Sequence, residues 1–171
     1  KITGNGVELL PARAEHAEFL LAIRNAPHKS QFLHRGAITL AQQIAWMQAQ
    51  DVAQNHIYFI SHDKATRLPI GTIRIYDEKL ELNSVSIGSW VMLDRTPAKL
   101  GLETLALAVQ YIDYLGFTHC HFGIHRDNTS VIKFHRNLGA CISEETSDGL
   151  VLHNSPKNFL HHLTNRYKVA L

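Results

Sequence analysis

Only two cysteines occur in the 171 residues, Cys120 and Cys141, and two thiols without the spacing of a ligand set exclude a disulfide-built scaffold. Each lies in an apolar, strand-like stretch, so a reduced, cytoplasmic protein is expected. No apolar run approaches the ~20 residues that a membrane-crossing helix needs. The first residues, Lys1 to Thr3, carry charge without the apolar segment of a signal peptide. The chain does not open on methionine, and a trimmed start is expected. Clustered positive charge is missing too: 17 Lys and Arg against 15 Asp and Glu leave a net charge of +2 and a pI near 8.6, too even for a nucleic-acid surface. Internal repeats and low-complexity tracts are absent.

What is present is core material. With 45% apolar and 19% charged residues, the length suits one compact domain over residues 1–171. Twelve histidines add positive charge below about pH 6.

The periodicity predicts a strand at Val7 to Leu10 and a helix over Ala14 to Asn25, with Ala17, Leu20, Leu21 and Arg24 on one face. Ala26 to Ser30 breaks it. A second helix is expected from a Thr39 cap to near Gln50, carrying Ile44, Trp46 and Met47. Strands follow at His56 to Ser61, Ile70 to Tyr76 and Ser84 to Leu93, β-branched or aromatic and bounded by turn residues. Leu100 to Leu115 is the clearest helix, with a stripe of Leu102, Leu105, Ala106, Val109 and Ile112 and a stop at Gly116. After it come a strand at His119 to Ile124, a helix opened by Asn128, strands at Ala140 to Glu144 and Leu150 to His153, and a last helix from about Pro156.

Asn128 to Gly139 is the most informative stretch. Asn128 can accept a bond from a free amide at the helix start, and Gly139 can end the helix in the left-handed conformation. Val131, Phe134, His135 and Leu138 form one face between them, and His135 is its odd member. This stretch resembles the last signature motif of the acetyl-CoA-dependent N-acetyltransferases of the GNAT superfamily, where Asn opens a helix, an aromatic hydroxyl lies seven residues on and Gly closes it. The element order resembles that fold over roughly residues 7 to 153, implying an α/β (α+β) domain with a mixed, mostly antiparallel and splayed sheet flanked by helices. In many members a Tyr at the place of His135 protonates the departing coenzyme A thiolate. Histidine, with a free pKa near ~6.5, is a competent proton donor near neutrality. The alternative is a buried histidine bonded to a neighbour.

By the same resemblance the pyrophosphate of coenzyme A belongs where the Leu100 helix begins. Free backbone N–H groups and the helix dipole favour an anion there. The family's loop reads Arg/Gln-x-x-Gly-x-Gly/Ala. Here Gly101 matches the first glycine, Ala98 replaces the Arg/Gln and Glu103 the last small residue, so Ala98, Lys99, Leu100, Gly101, Leu102, Glu103 and Thr104 are the candidate coenzyme residues. Asn128 joins them, and Lys99 or Arg95 can supply the lost charge. The alternative is a glycine-capped loop without a ligand.

Ile87 to Leu93 occupies the place of the family's central strand, along which the pantetheine arm lies like an added strand. The resemblance assigns the thioester oxygen to the backbone of Met92 and its neighbour Leu93, where fixed donors meet developing charge. Many members carry a Glu on this strand; here there is none, and a water chain, His135 or another histidine remains as the base. The acceptor pocket falls to the first two helices and their connection, with Arg24, Asn25 and Phe32 as candidate substrate residues and Arg24, Lys29 and Arg35 as candidate phosphate contacts. Arg24 pinning the first helix to a carboxylate is the structural alternative. Ile23-Arg24-Asn25 with Ile38-Thr39 and Trp46 resembles bacterial enzymes that acetylate nucleotide-linked amino sugars.

The expected acceptor is therefore a small-molecule amine, with a sugar nucleotide as the candidate. Ribosomal-protein N-terminal acetylation and a non-catalytic acetyl-CoA-binding module are the alternatives. No nucleic acid, membrane or metal is expected as a partner, and a homodimer is left open. His119 and His121 share a strand face, a weak metal signal without a third ligand. His125 is expected at a loop surface, His161 and His162 on the outside of the last helix, and Trp46 and Trp90 in core or pocket walls.

Overall fold

The computed structural model describes residues 1–30, 32, 39–52 and 56–170. Eight strands form one sheet: β1 (Ile2–Thr3), β2 (Val7–Pro11), β3 (Ile57–Asp63), β4 (Pro69–Lys79), β5 (Ser84–Met92), β6 (His119–His125), β7 (Cys141–Glu145) and β8 (Gly149–Asn154). Their spatial order is β1-β2-β3-β4-β5-β6-β8-β7. All neighbours are antiparallel except β5 and β6, which run parallel. That pair is joined only at Ser84–His119, Val85–Cys120 and Ser86–His121. Beyond Ser86 the two strands part, leaving a free edge on each.

The helices are α1 (Ala17–Asn25), α2 (Pro27–Ser30), α3 (Leu40–Val52), α4 (Ala98–Tyr114), α5 (Thr129–Asn137) and α6 (Pro156–Tyr167). Strand alternation divides them between two faces. On β3, Phe59 joins a core with Leu105 and Val109 of α4 and with Phe159 and Leu163 of α6, while Tyr58 and Ile60 pack with Ala17 and Leu20 of α1 and Met47 of α3. The stripe expected on α4 is buried except for half-exposed Leu102; Leu107 and Ala108 are buried as well, and α6 packs against the helix.

Local signals account for most ends. Thr39 Oγ1 accepts from the Gln42 N–H at 3.2 Å and the Gln42 side chain accepts from the Thr39 N–H at 3.1 Å, a reciprocal cap that starts α3 as expected. Gly139 has φ +84°, and the Gly139 and Ala140 amides donate to the Arg136 and His135 carbonyls at 3.0 and 3.1 Å, closing α5. Some expectations fail. Ala26 to Ser30 is not only a break, since Pro27 opens the single turn α2, a position that suits its fixed φ. The two-residue β1 is too short to leave a periodic signal. Cys141 lies on no apolar strand: β7 is the sheet edge and exposed along its length.

Candidate active site

The end of β5 is shaped by an extra residue. Its register with β4 shifts between Thr72–Val91 and Arg74–Gly88, Ser89 takes φ +47°, and Thr72 Oγ1 donates to the Ser89 carbonyl at 2.7 Å. Such a bulge bends the strand and re-aims the residues beyond it. The Leu93 N–H donates to the Ile70 carbonyl at 2.8 Å, so this amide is committed to the sheet and the expectation that it faces a thioester oxygen fails. Alternation along the strand turns the Met92 N–H to the opposite edge, where β6 has diverged. Of the two amides, that of Met92 is therefore the one turned towards the gap between the strands. The Met92 carbonyl accepts from Lys29 Nζ at 2.7 Å, and the same ammonium meets Asp94 Oδ1 at 2.7 Å.

The N-terminus of α4 comes directly after β5. Pro97 stands at the N-cap without a side-chain bond, and the first turn holds no acidic residue. Ala98 and Lys99 are exposed, and their amides precede the first helical acceptors. The amides of Leu100 and Gly101 lean on the Pro97 carbonyl at 2.9 and 3.4 Å. Those of Leu102, Glu103 and Thr104 lie inside the helix, where the turn before supplies their acceptors. The candidate anion site thus narrows to residues 98–101. Glu103 is 8% exposed and both its oxygens accept from the Gly6 N–H, at 2.9 and 3.2 Å. Its side chain ties α4 to the β1–β2 turn and leaves the phosphate loop alone. Thr104 Oγ1 donates back to the Leu100 carbonyl at 2.9 Å.

Asn128 is the N-cap residue of α5, but its side chain caps no amide; Asn128 Oδ1 accepts from Ser130 Oγ at 3.3 Å instead. His135 lies inward between the parting strands. Its ring is 6.3 Å from Trp90 of β5 and 4.5 Å from Phe122 of β6, with Phe134 and Phe159 at 5.2 and 6.0 Å. Burial among these rings pushes its pKa down to about 4. At neutral pH the imidazole is therefore uncharged. Its Nδ1 and the Trp90 Nε1 are buried with no hydrogen-bond partner among the described residues.

On the other face, Arg24 Nη1 donates to Ser89 Oγ at 3.1 Å, fastening α1 to the bulge. Asn25 is exposed at the end of α1. Phe32 packs its ring 6.0 Å from His125 at the far end of β6. Gln31 and residues 33–38, including Arg35 and Ile38, lie outside the described residues. Arg74 of β4 was missed in the sequence, although a lone arginine in the apolar run from Ile70 to Tyr76 is itself a signal. Its guanidinium is 5.2 Å from the Trp46 ring and 4.7 Å from the Tyr76 ring. At the apex of the splay Ser84 Oγ meets His121 Nδ1 at 2.7 Å, and His121 Nε2 meets Asp77 Oδ2 at 3.1 Å. Ser84 is 5% exposed, so this chain of bonds clamps β4, β5 and β6 where the strands separate. Among the described residues no three His, Cys, Asp or Glu side chains gather to hold a metal ion, and no helix is long and apolar enough to cross a membrane.

A splayed parallel pair, a bulged strand with a free amide at its end and an uncapped helix start next to it form a cleft suited to an extended, phosphate-bearing thioester. The orphaned Nδ1 of His135 supplies a polar group inside it. The sequence matches the family model of the acetyltransferase (GNAT) domain over residues 7–140. Apo FdhC, a nucleotide-linked sugar GNAT, superposes with a TM-score of 0.83 at 22% identity, covering 98% of this chain and 96% of that one. A Vibrio cholerae protein described as a ribosomal-protein-serine acetyltransferase gives 0.75 at 18% identity, over 91% of this chain and 97% of its own. Mutant forms of the spermidine/spermine N-acetyltransferase SpeG of Vibrio cholerae give 0.74 at 10% identity, over 92% and 98%. No curated protein matches the sequence. The match over most of the chain places this protein in the GNAT acetyltransferase family.

Proposed function

We propose that the protein transfers the acetyl group of acetyl-CoA to the primary amine of a small molecule, with a nucleotide-linked amino sugar as the acceptor. The observation that carries this reading is the roof over the splay. Lys29 holds the segment after α1 to the end of β5, and three residues later Phe32 packs on His125 at the end of β6. Contacts from Lys29 and Phe32 to the two strands narrow the acceptor side, which suits a small amine better than a protein terminus needing an open groove. The fold shared with a nucleotide-linked sugar GNAT agrees with it.

In this account the start of α4, with the free amides of Ala98 and Lys99 and the helix dipole behind them, holds the pyrophosphate and the free edge of β5 holds the pantetheine arm. The acceptor enters as the neutral amine and forms the C–N bond as the C–S bond breaks. The Met92 N–H meets the charge developing on the carbonyl oxygen. β5 carries no carboxylate, so the amine proton leaves through water. His135, neutral at pH 7, donates an N–H bond to the departing sulfur. Thiol release should be followed with a panel of amino-sugar nucleotides beside N-terminal peptides. Turnover on the nucleotides alone is the expected result; turnover confined to peptides would replace the acceptor assignment, and coenzyme binding without turnover on either would leave a binding module.

A further inference from the structure

The acceptor side of β4 holds a cation that the acetyl-transfer chemistry does not use. Arg74 is half-buried and lies between the rings of Trp46, on α3, and Tyr76, two residues along its own strand, with its guanidinium carbon 5.2 and 4.7 Å from their centroids. Arg74 Nη2 donates to Gln50 Oε1 at 3.2 Å. Its buried Nε has no hydrogen-bond partner, and no carboxylate pairs with it among the described side chains. Burial is the first cause that lowers its pKa, partly offset by the Tyr76 and Tyr58 phenols, and the charge of Arg24 adds to the lowering.

A guanidinium held only for structure normally spends its donors on carbonyls or carboxylates, because a buried cation without a partner is costly. Here the aromatic rings fix the plane of the fork while leaving donors open. The fork geometry matches the oxygens of a phosphate. The place also fits. Arg74 pairs with Gly88 of β5, where the lack of a side chain lets Tyr76 lie against the strand, since a Cβ there would be 3.0 Å from its hydroxyl. From Gly88 to Met92 the bulged strand spans at most about 13 Å, the limit set by ~3.3 Å per extended residue. The Arg74 side chain together with a sugar ring and its phosphoester link bridges such a span.

We propose that Arg74 is the specificity residue that binds a phosphate ester carried by the acceptor, so that the acetylated amine must stand on a phosphate-bearing molecule. The proposal rests on the acetyl-transfer reading and moves the phosphate contact from the α1–α2 connection to β4. Trp46 and Tyr76 position the guanidinium, and Gln50 fixes its far edge.

The test uses the full chain and the variants Arg74→Gln and Arg74→Lys, with circular dichroism and the thermal midpoint as folding controls. Thiol release from acetyl-CoA is measured with pairs of amines that differ only in a phosphate, such as a hexosamine and its 1-phosphate, and with a carboxylate-bearing amine of similar size. The phosphate-bearing acceptor should be preferred. Arg74→Gln should raise its KM about 10- to 100-fold, leave the KM for acetyl-CoA unchanged and abolish the preference, with partial recovery in Arg74→Lys. Equal use of both members of each pair, a preference for the carboxylate, or an unchanged KM in a folded Arg74→Gln would overturn the proposal. If no amine is acetylated, the acetyl-transfer reading fails separately. Calorimetry with inorganic pyrophosphate, in the presence of coenzyme A, then decides the site alone: binding weakened at least 10-fold in Arg74→Gln supports it, and identical binding refutes it.

Discussion

Replacing His135 with Phe removes the one titratable group in the aromatic box and leaves a ring of similar shape. The surroundings are Trp90, Phe122, Phe134 and Phe159, none of which can neutralise an imidazolium. In the unfolded chain the imidazole regains its ordinary value near ~6.5; in the folded protein burial pushes it down to about 4. A base whose folded pKa is depressed binds fewer protons folded than unfolded throughout that interval. Its contribution is therefore complete above pH 6.5 and is lost as pH falls towards 4. The interval corresponds to about 3 kcal/mol, a large fraction of the stability of a domain this size. Urea unfolding of the wild type and of His135→Phe at matched pH values from 7 to 4 isolates the term, since every other group titrates in both. The wild type should lose about 3 kcal/mol more than the variant over this range. Parallel pH curves would show that His135 is solvated or paired in solution, and the neutral-imidazole role in catalysis would go with it.

Three further outcomes are expected from the geometry. Gly101→Val places branched methyls against Met92, whose Cγ would already lie 3.4 Å from a Cβ at this position; acetyl-CoA affinity should fall about tenfold or more by calorimetry, a loss of ~1.4 kcal/mol, and an unchanged constant would defeat the phosphate-loop assignment. Glu103→Ala strands the Gly6 N–H, which now donates to the carboxylate; urea unfolding should show a loss of about 1–3 kcal/mol, and an unshifted midpoint would mean the tie carries no stability. Cys141 is exposed, whereas Cys120 is buried and its thiol is pushed up to about 12, so a thiol-reactive dye should label one cysteine quickly in the native protein and both only after denaturation. Rapid labelling of both would contradict the packing of β6.

Features written in local chemistry were legible in the sequence. Gly139 closes α5 through its own backbone preference, Thr39 and Gln42 cap α3 within one turn, and the α4 stripe needs only helical spacing, whereas the cap expected of Asn128 marks the right helix start but makes no bond to an amide. Features set by register were not. The commitment of the Leu93 amide depends on its pairing with Ile70, and the roof depends on where Lys29 and Phe32 land after the chain turns at Pro27. Glu103 looked like a defect in a phosphate loop because its partner, the Gly6 amide, lies 97 residues away. His135 looked like an acid poised near neutrality, because sequence names the side chain and not the four aromatic rings that desolvate it. Arg74 is the opposite case, a charge within an apolar strand whose presence was visible and whose ring clamp appears only when α3 folds over β4.

Titration of acetyl-CoA into the full chain by calorimetry decides whether the cleft between β5 and β6 holds the coenzyme. Saturable one-to-one binding is the predicted result, because the start of α4, with the amides of Ala98 and Lys99, and the free edge of β5 stand ready for the coenzyme. The absence of measurable binding would contradict the account and leave the cleft between β5 and β6 as inherited architecture without its cofactor.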